Sequence, residues 1–191
     1  MYATTLGDDG AELRPLDPWY AEEFLAHLDR GREFIGQYIA FGARATDVDS
    51  ARDVLTDYAD KRAADSGGLH GIWLDRKLVG GVLFRTFDAQ QGTCEVGCWL
   101  EPAATGRGLV TRAATVLIDW AVEQRGIHRV EWYAASGNRP SINVAQRLGM
   151  SQDGVLRENR LHRGVRHDTE VWSVLAPEWR AARARAAHND H

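Results

Sequence analysis

The sequence has few cysteines and no long apolar run. Its two cysteines, Cys94 and Cys98, fall on one strand predicted over residues 93–100, where their Cα atoms lie about 13 Å apart. That separation is too large for a disulfide, so we expect a reduced, cytoplasmic protein. No stretch of about 18 apolar residues occurs, which excludes a membrane-spanning helix. Residues 1–16 lack the apolar core of a signal peptide.

The sequence also has no excess of positive charge and no metal-binding pattern. It carries 23 basic and 27 acidic residues, a net charge of −4, which weighs against a nucleic-acid partner. The seven histidines are scattered, without metal-ligand spacing to the cysteines, so we predict no metal. With 191 residues, the chain is predicted to hold a single domain over 1–179 and a fraying tail over 180–191.

Hydrophobic periodicity predicts helices followed by an antiparallel meander, and then alternating helices and strands. Asp17 and Pro18 are predicted to open the first helix, with Trp19 on its apolar side. The strands are predicted over 69–74, 78–87, 93–100 and 127–134, the later helices over 108–125 and 140–148, and a closing hairpin over 155–161 and 169–176. This order predicts an α/β fold, a mixed sheet covered by helices.

The most informative segment is 94–111, where a strand runs through Thr105-Gly106-Arg107-Gly108 into a long helix. Glycines let the backbone approach a ligand, and the first N–H groups of a helix point outward. Together with the helix dipole they form an anion site, to which Arg107 adds a cation and Thr111 a hydroxyl. This motif alone does not decide between a binding site for pyrophosphate and a turn that binds no ligand. The spacing matches neither a nucleotide-triphosphate P-loop nor a dinucleotide fingerprint.

Two longer segments carry a family resemblance. Residues 99–121 (WLEPAATGRGLVTRAATVLIDWA) and 126–150 (GIHRVEWYAASGNRPSINVAQRLGM) resemble the GNAT superfamily of acetyl-CoA-dependent N-acyltransferases. The similarity is greatest to the RimJ/RimL-type ribosomal-protein N-terminal acetyltransferases. The resemblance implies a mixed, mostly antiparallel central sheet flanked by helices, acetyl-CoA as co-substrate, and direct acetyl transfer to a primary amine. It also implies a protein or peptide N-terminal α-amine as acceptor, and a homodimer.

The resemblance further implies which residues hold acetyl-CoA. The loop and the start of the helix are expected to bind the pyrophosphate, the end of the preceding strand the pantetheine arm, and Asn138 and Ser141 the region near the sulfur. The implied cofactor-binding set is Trp99, Leu100, Thr105, Gly106, Arg107, Gly108, Leu109, Val110, Thr111, Asn138 and Ser141. Two positions depart from the family pattern. Ala103 replaces a Gln or Arg, and Ala145 replaces the tyrosine that serves many of these enzymes as general acid.

The transfer needs a base for the amine and an acid for the leaving thiolate. Strand alternation places Glu95 and Gly97 on the face of the strand opposite Cys94 and Cys98. Glu95 is therefore the predicted base. The alternative is that Glu95 forms an ion pair with an arginine such as Arg129. Ser141 is the predicted thiol partner or acid, and the alternative is a capping hydroxyl. With no nucleophile in the motif, we expect no acyl-enzyme.

Two other functions stay open at this point. The acceptor could be a small-molecule amine, such as an antibiotic or a polyamine. Because Ala145 stands where many of these enzymes have a tyrosine general acid, the protein could instead be a non-catalytic regulator that binds acetyl-CoA.

Overall fold

The computed structural model describes residues 3–189 and shows a single eight-stranded sheet with helices on both faces. The strands are β1 (Thr4–Thr5), β2 (Glu12–Pro15), β3 (Gly68–Leu74), β4 (Lys77–Asp88), β5 (Thr93–Leu100), β6 (Arg129–Ala135), β7 (Ser151–His162) and β8 (Val165–Leu175). The helices are α1 (Ala21–Ile35), α2 (Phe41–Arg44), α3 (Val48–Ala63), α4 (Leu109–Arg125), α5 (Arg139–Arg147) and α6 (Ala176–Asn189). The predicted strands and later helices are confirmed to within a few residues at their ends.

The sheet order is β1-β2-β3-β4-β5-β6-β8-β7. Within residues 3–189, β5 and β6 are the one parallel pair, and every other neighbouring pair is antiparallel. Parallel strands need a crossover, and α4 supplies it between β5 and β6. The change of direction therefore falls at the segment that carries the glycine motif.

Two hydrophobic cores lie on opposite faces of the sheet. Strand alternation sends Val96 and Trp132 toward α4 and α5, where they join Leu117 and Ile118 in the larger core. Trp99 points to the other face and packs with residues of α1, α2 and α3. The predicted alternation along β5 is thereby confirmed.

The first helix begins differently from its prediction. Residues Pro18–Tyr20 form a separate 3₁₀ turn before α1, so the helical period does not run through it, and Trp19 is 74% exposed. Asp17 makes no capping hydrogen bond; its carboxylate binds Arg62 of α3 instead. Asp17 and Pro18 open the helical segment as predicted, whereas the predicted apolar position of Trp19 is wrong.

The C-terminal helix is anchored at its first turn. The Trp179 indole N–H donates to Asp119 of α4 at 2.8 Å, and Arg180 binds Glu123 at 3.0 Å. Residues 180–189 are helical in the structure, although the sequence predicts fraying there. Residues 190–191 lie outside the described range. The division into a domain and a tail stays a prediction. No helix in the described part of the chain is long and apolar enough to cross a membrane.

Candidate functional site

The parallel strands β5 and β6 separate after a short stretch of pairing. Their ladder joins Thr93–Glu95 to Arg129–Glu131 and goes no further, although β5 continues to Leu100 and β6 to Ala135. Each strand stays paired on its other edge, β5 with β4 and β6 with β8. The result is a wedge that opens toward the first turns of α4 and α5. An extended ligand can pair with the edge of β5 in this wedge.

The glycine loop presents a row of backbone donors at the open end of the wedge. Gly106 and Gly108 adopt φ of 78° and 69°, the left-handed region in which a β-branched side chain is strained. Within residues 3–189, the backbone N–H groups from Gly106 to Thr111 have no hydrogen-bond acceptor, and the ladder of α4 begins when Arg112 donates to Gly108. These unpaired donors and the dipole of α4 suit an anion, and the anion site stays a prediction.

The side chains of the loop contribute less than its backbone. The Thr105 hydroxyl donates to the Pro102 carbonyl at 2.8 Å, and Leu109 and Val110 are buried in the core. These three residues can therefore meet a ligand chiefly through their backbone. Thr111 accepts a hydrogen bond from Arg147 of α5 at 3.4 Å, which brings a second exposed cation to the first turn of α4.

A buried polar network fixes the start of the loop. The Trp99 indole N–H donates to Nε2 of His27 at 3.0 Å, and Nδ1 of His27 lies 3.3 Å from Glu101, which also accepts from Arg30 at 2.9 Å. Because an indole can only donate, Nε2 is unprotonated and the imidazole is neutral with its proton on Nδ1. Burial lowers the pKa of His27 to about 4, in agreement with that state. The network leaves only the backbone of Trp99 for a ligand.

Ser141 is held in place by Trp132 of β6. The Trp132 indole N–H donates to the Ser141 hydroxyl at 2.9 Å, and Asn138 caps α5 by accepting from the Ser141 N–H at 3.3 Å. Because a lone pair of Ser141 Oγ is occupied by the indole, its O–H proton is free to point elsewhere. The arrangement suits a hydroxyl that donates toward the wedge.

Glu95 lies on the opposite face of the sheet from Ser141, in an ion pair with Arg85 of β4. The Arg85 Nε donates to Glu95 at 2.7 Å, and the carboxylate side chain is 16% exposed. Burial raises the pKa of Glu95, and the Arg85 guanidinium opposes that rise. The ion-pair alternative is therefore present in the structure, but the predicted partner is wrong: Arg129 binds Glu131 and Asp153 instead.

Arg85 and Arg160 act on Glu95, and neither is among the site residues that the sequence predicts. Arg160 of β7 binds the Tyr38 carbonyl, and the Tyr38 hydroxyl donates to the Gly137 carbonyl at 3.1 Å. The loop after α1 is thereby tied both to the β7–β8 hairpin and to the loop before α5. Arg85 is the extra residue of a bulge in β4: counting back from the β4–β5 turn places Thr86, and not Arg85, opposite Glu95.

The two cysteines are free thiols in the core. Cys94 and Cys98 face α4, on the side of β5 opposite Glu95, and burial raises the pKa of both to about 12. Neither is a nucleophile at neutral pH, in line with the expectation of direct transfer.

Comparisons with known proteins agree with this geometry. The acetyltransferase (GNAT) domain family matches residues 11–151, so the chain belongs to the GNAT acetyltransferases. YdaF of Bacillus subtilis (strain 168), provisionally named a ribosomal N-acetyltransferase, is 28% identical over 87% of this chain and 92% of its own. The predicted enzyme class and the resemblance to the RimJ/RimL-type group are confirmed.

Solved structures show the same fold. A crystal structure provisionally assigned as an acetyltransferase superposes with a TM-score of 0.86 and 27% identity, over 94% of this chain and 99% of that one. RimL, the ribosomal L7/L12 alpha-N-protein acetyltransferase, in complex with coenzyme A, superposes with a TM-score of 0.84 and 16% identity, over 88% and 95%. The predicted mixed, mostly antiparallel sheet flanked by helices is confirmed.

Proposed function

We propose that this acetyltransferase takes acetyl from acetyl-CoA and transfers it directly to a primary amine, the N-terminal α-amine of a protein or peptide. The observation that carries the proposal is the row of unpaired backbone N–H groups from Gly106 to Thr111 at the mouth of the β5–β6 wedge. Those donors suit a pyrophosphate, and the free edge of β5 suits the amide groups of a pantetheine arm. Coenzyme A bound to RimL supports the same assignment.

The residues present fit acetyl-CoA despite the departure at Ala103. Ala103 is an exposed residue of the 3₁₀ turn Pro102–Ala104 and offers no donor from its side chain. The backbone amides of the loop and the guanidinium of Arg107 provide the positive charge there. Trp99 and Leu100 contribute their backbone edge, and Asn138 and Ser141 approach the wedge from the start of α5.

Two side chains are proposed for the chemistry, one from each face of the sheet. Glu95 accepts the proton of the attacking amine, directly or through a water, while Ser141 donates its O–H toward the leaving sulfur. Trp132 keeps the Ser141 hydroxyl oriented. Ala145 is fully buried and cannot take part, so Ser141 stands in for the tyrosine that the family pattern places there.

The acceptor assignment is supported by YdaF, whose provisional name places it among ribosomal N-acetyltransferases. We also propose a cytoplasmic homodimer that needs no metal. Light scattering at micromolar concentration tests the dimer, and a monomeric mass would count against it.

The function is tested by thiol release from acetyl-CoA with three sets of acceptors: peptides with free N-termini, polyamines and aminoglycosides. Mass spectrometry of the product locates the acetyl group. An acetylated α-amine supports the proposal, whereas an acetylated polyamine or aminoglycoside identifies the small-molecule alternative. Calorimetric binding of acetyl-CoA without transfer to any acceptor would identify a regulator, and absence of binding would overturn the proposal.

A further inference from the structure

Arg160 is a half-buried cation without a carboxylate partner. Within residues 3–189 it forms no ion pair, and the Tyr38 carbonyl is its one hydrogen-bond acceptor. Burial lowers the pKa of Arg160, the neighbouring Arg85 lowers it further, and Glu95 raises it. An arginine withdrawn from water ordinarily has an anion beside it.

Arg85 also has unused donors that face the same cleft. Its Nε donates to Glu95, whereas neither Nη group has an acceptor in the described part of the chain. One of them lies 3.7 Å from the position that a Cβ would take on Gly97, next to Glu95 on β5. The guanidinium therefore covers the sheet face where the amine must approach.

The arginines near Glu95 differ in how many of their N–H groups are already used. Two guanidinium groups, of Arg85 and Arg160, act on the single carboxylate of Glu95. Glu131, the next carboxylate along the sheet, is bound to Arg129 at 2.7 Å. Arg129 is also bound to Asp153, whereas Arg85 and Arg160 keep N–H groups that have no acceptor in the described part of the chain. A carboxylate of the acceptor would meet these N–H groups.

We propose that Arg85 and Arg160 bind a carboxylate of the acceptor, so that the preferred substrates are primary amines with a carboxylate about one residue away. A peptide whose first or second residue is Asp or Glu has this chemistry, and so does a free acidic amino acid. The planar fork of a guanidinium matches a carboxylate in two parallel hydrogen bonds. Successive residues are about 3.8 Å apart between Cα atoms, so Glu95 can reach the amine while the arginines hold the carboxylate. The inference rests on the proposed transfer to an amine.

The test compares kcat/KM for three peptides that differ only at the second residue, Asp, Asn or Lys, together with free aspartate. In the wild-type protein we expect the Asp peptide to exceed the Asn peptide at least tenfold, and high salt to reduce the ratio. Arg160→Gln is expected to remove the preference while transfer to the Asn peptide continues. Arg160→Lys, which keeps the charge and loses the fork, should retain part of it. A preference for free aspartate over the peptides would assign the site to small acids.

Arg166→Gln is the matched control. Arg166 lies on the same hairpin, is exposed, and donates to the Glu158 carbonyl away from Glu95. Its substitution should leave the Asp-to-Asn ratio unchanged, and because a ratio is compared, a general loss of activity in Arg160→Gln does not obscure the result. Equal rates for Asp and Asn peptides, or a preference that survives Arg160→Gln, would overturn the inference and leave the transferase intact. Transfer to no acceptor at all would overturn the proposed function, and this inference with it.

Discussion

Replacing Glu95 by Gln separates a general base from a structural carboxylate. The amide is nearly isosteric and still accepts a hydrogen bond from Arg85, but it cannot take a proton. General-base assistance is typically worth about 10²–10⁴-fold, so we expect kcat to fall by at least about 10²-fold. Affinity for acetyl-CoA should stay nearly unchanged, because the proton acceptor is needed only in the transition state.

Because Glu95 is paired with Arg85, the pH dependence of kcat can test whether Glu95 is the base. Burial raises the pKa of Glu95 and Arg85 opposes that rise, so removing the guanidinium by Arg85→Gln should raise the pKa further. The base must be ionised, and activity is therefore lost as pH falls through this pKa. The acid limb of the pH–rate profile should move to higher pH in Arg85→Gln, and each unit corresponds to about 1.4 kcal/mol of lost stabilisation of the carboxylate. The profile is measured with an acceptor peptide that has no carboxylate side chain, so that a change in the pKa of Glu95 is not confused with a change in binding of an acidic acceptor.

The assay is a pH–rate profile of the wild type and both variants with one confirmed acceptor. The deficit of Glu95→Gln should shrink at high pH, where more of the amine is already unprotonated. Equal kcat across the range would reject Glu95 as the base. A fall accompanied by a lower melting temperature or lost acetyl-CoA binding would assign it a structural role. Glu123→Gln, which breaks an exposed ion pair with Arg180, is the control for removing a carboxylate.

Three further predictions follow from the loop, the α5 contact and the buried histidines. Gly108→Val should weaken acetyl-CoA binding at least tenfold, about 1.4 kcal/mol by calorimetry, because valine is strained at a φ of 69°; unchanged affinity in a folded variant would contradict the placement of the loop. Trp132→Phe should lower kcat of the wild-type protein, but it should cause no further loss of kcat in a protein that already carries Ser141→Ala. Additive losses of kcat in the double variant would show that the indole does not act through the Ser141 hydroxyl. Burial lowers the pKa of His27 to about 4 and of His70 to about 3, so below pH 6.5 these histidines are protonated in the unfolded chain before they are protonated in the folded protein. The free energy of unfolding in urea should therefore fall by about 2 kcal/mol per histidine between pH 7 and pH 5. His70→Gln should remove one of these two losses.

The geometry of the glycine loop could be predicted from sequence because it depends on the backbone, while the ligand that the loop holds stays a prediction. Gly106 and Gly108 are the residue type that a left-handed φ at the start of a helix requires, and they appear in the sequence as a short local motif. The strand that precedes them and the helix that follows have clear periodicities. A local pattern of this kind needs no knowledge of long-range packing.

The acceptor half could be predicted only in part. Glu95 follows from alternation along β5. Counting back from the β4–β5 turn places Thr86 opposite Glu95, and the bulge that brings Arg85 beside Glu95 has no signal in the sequence. Arg160 follows from neither. It reaches the cleft because β7 is irregular between Leu156 and Arg160, where Glu158 adopts a φ of 52°. Such a bend is set by tertiary packing and leaves no periodic signal.

The two halves of the site therefore differ in how freely evolution can alter them. In the proposed site the loop would hold its ligand with main-chain N–H groups, so its chemistry would depend on two glycines and tolerate changes in nearly every other side chain. The acceptor cleft takes its character from side chains on β4, β5 and β7, which stand on separate elements and can be exchanged one at a time. A GNAT protein that keeps the loop but replaces the counterparts of Arg85 and Arg160 should keep acetyl-CoA and change its acceptor. On the proposed assignment, the acyl donor is set by the loop that the family shares, whereas the identity of the amine is set by a few side chains that each chain can change.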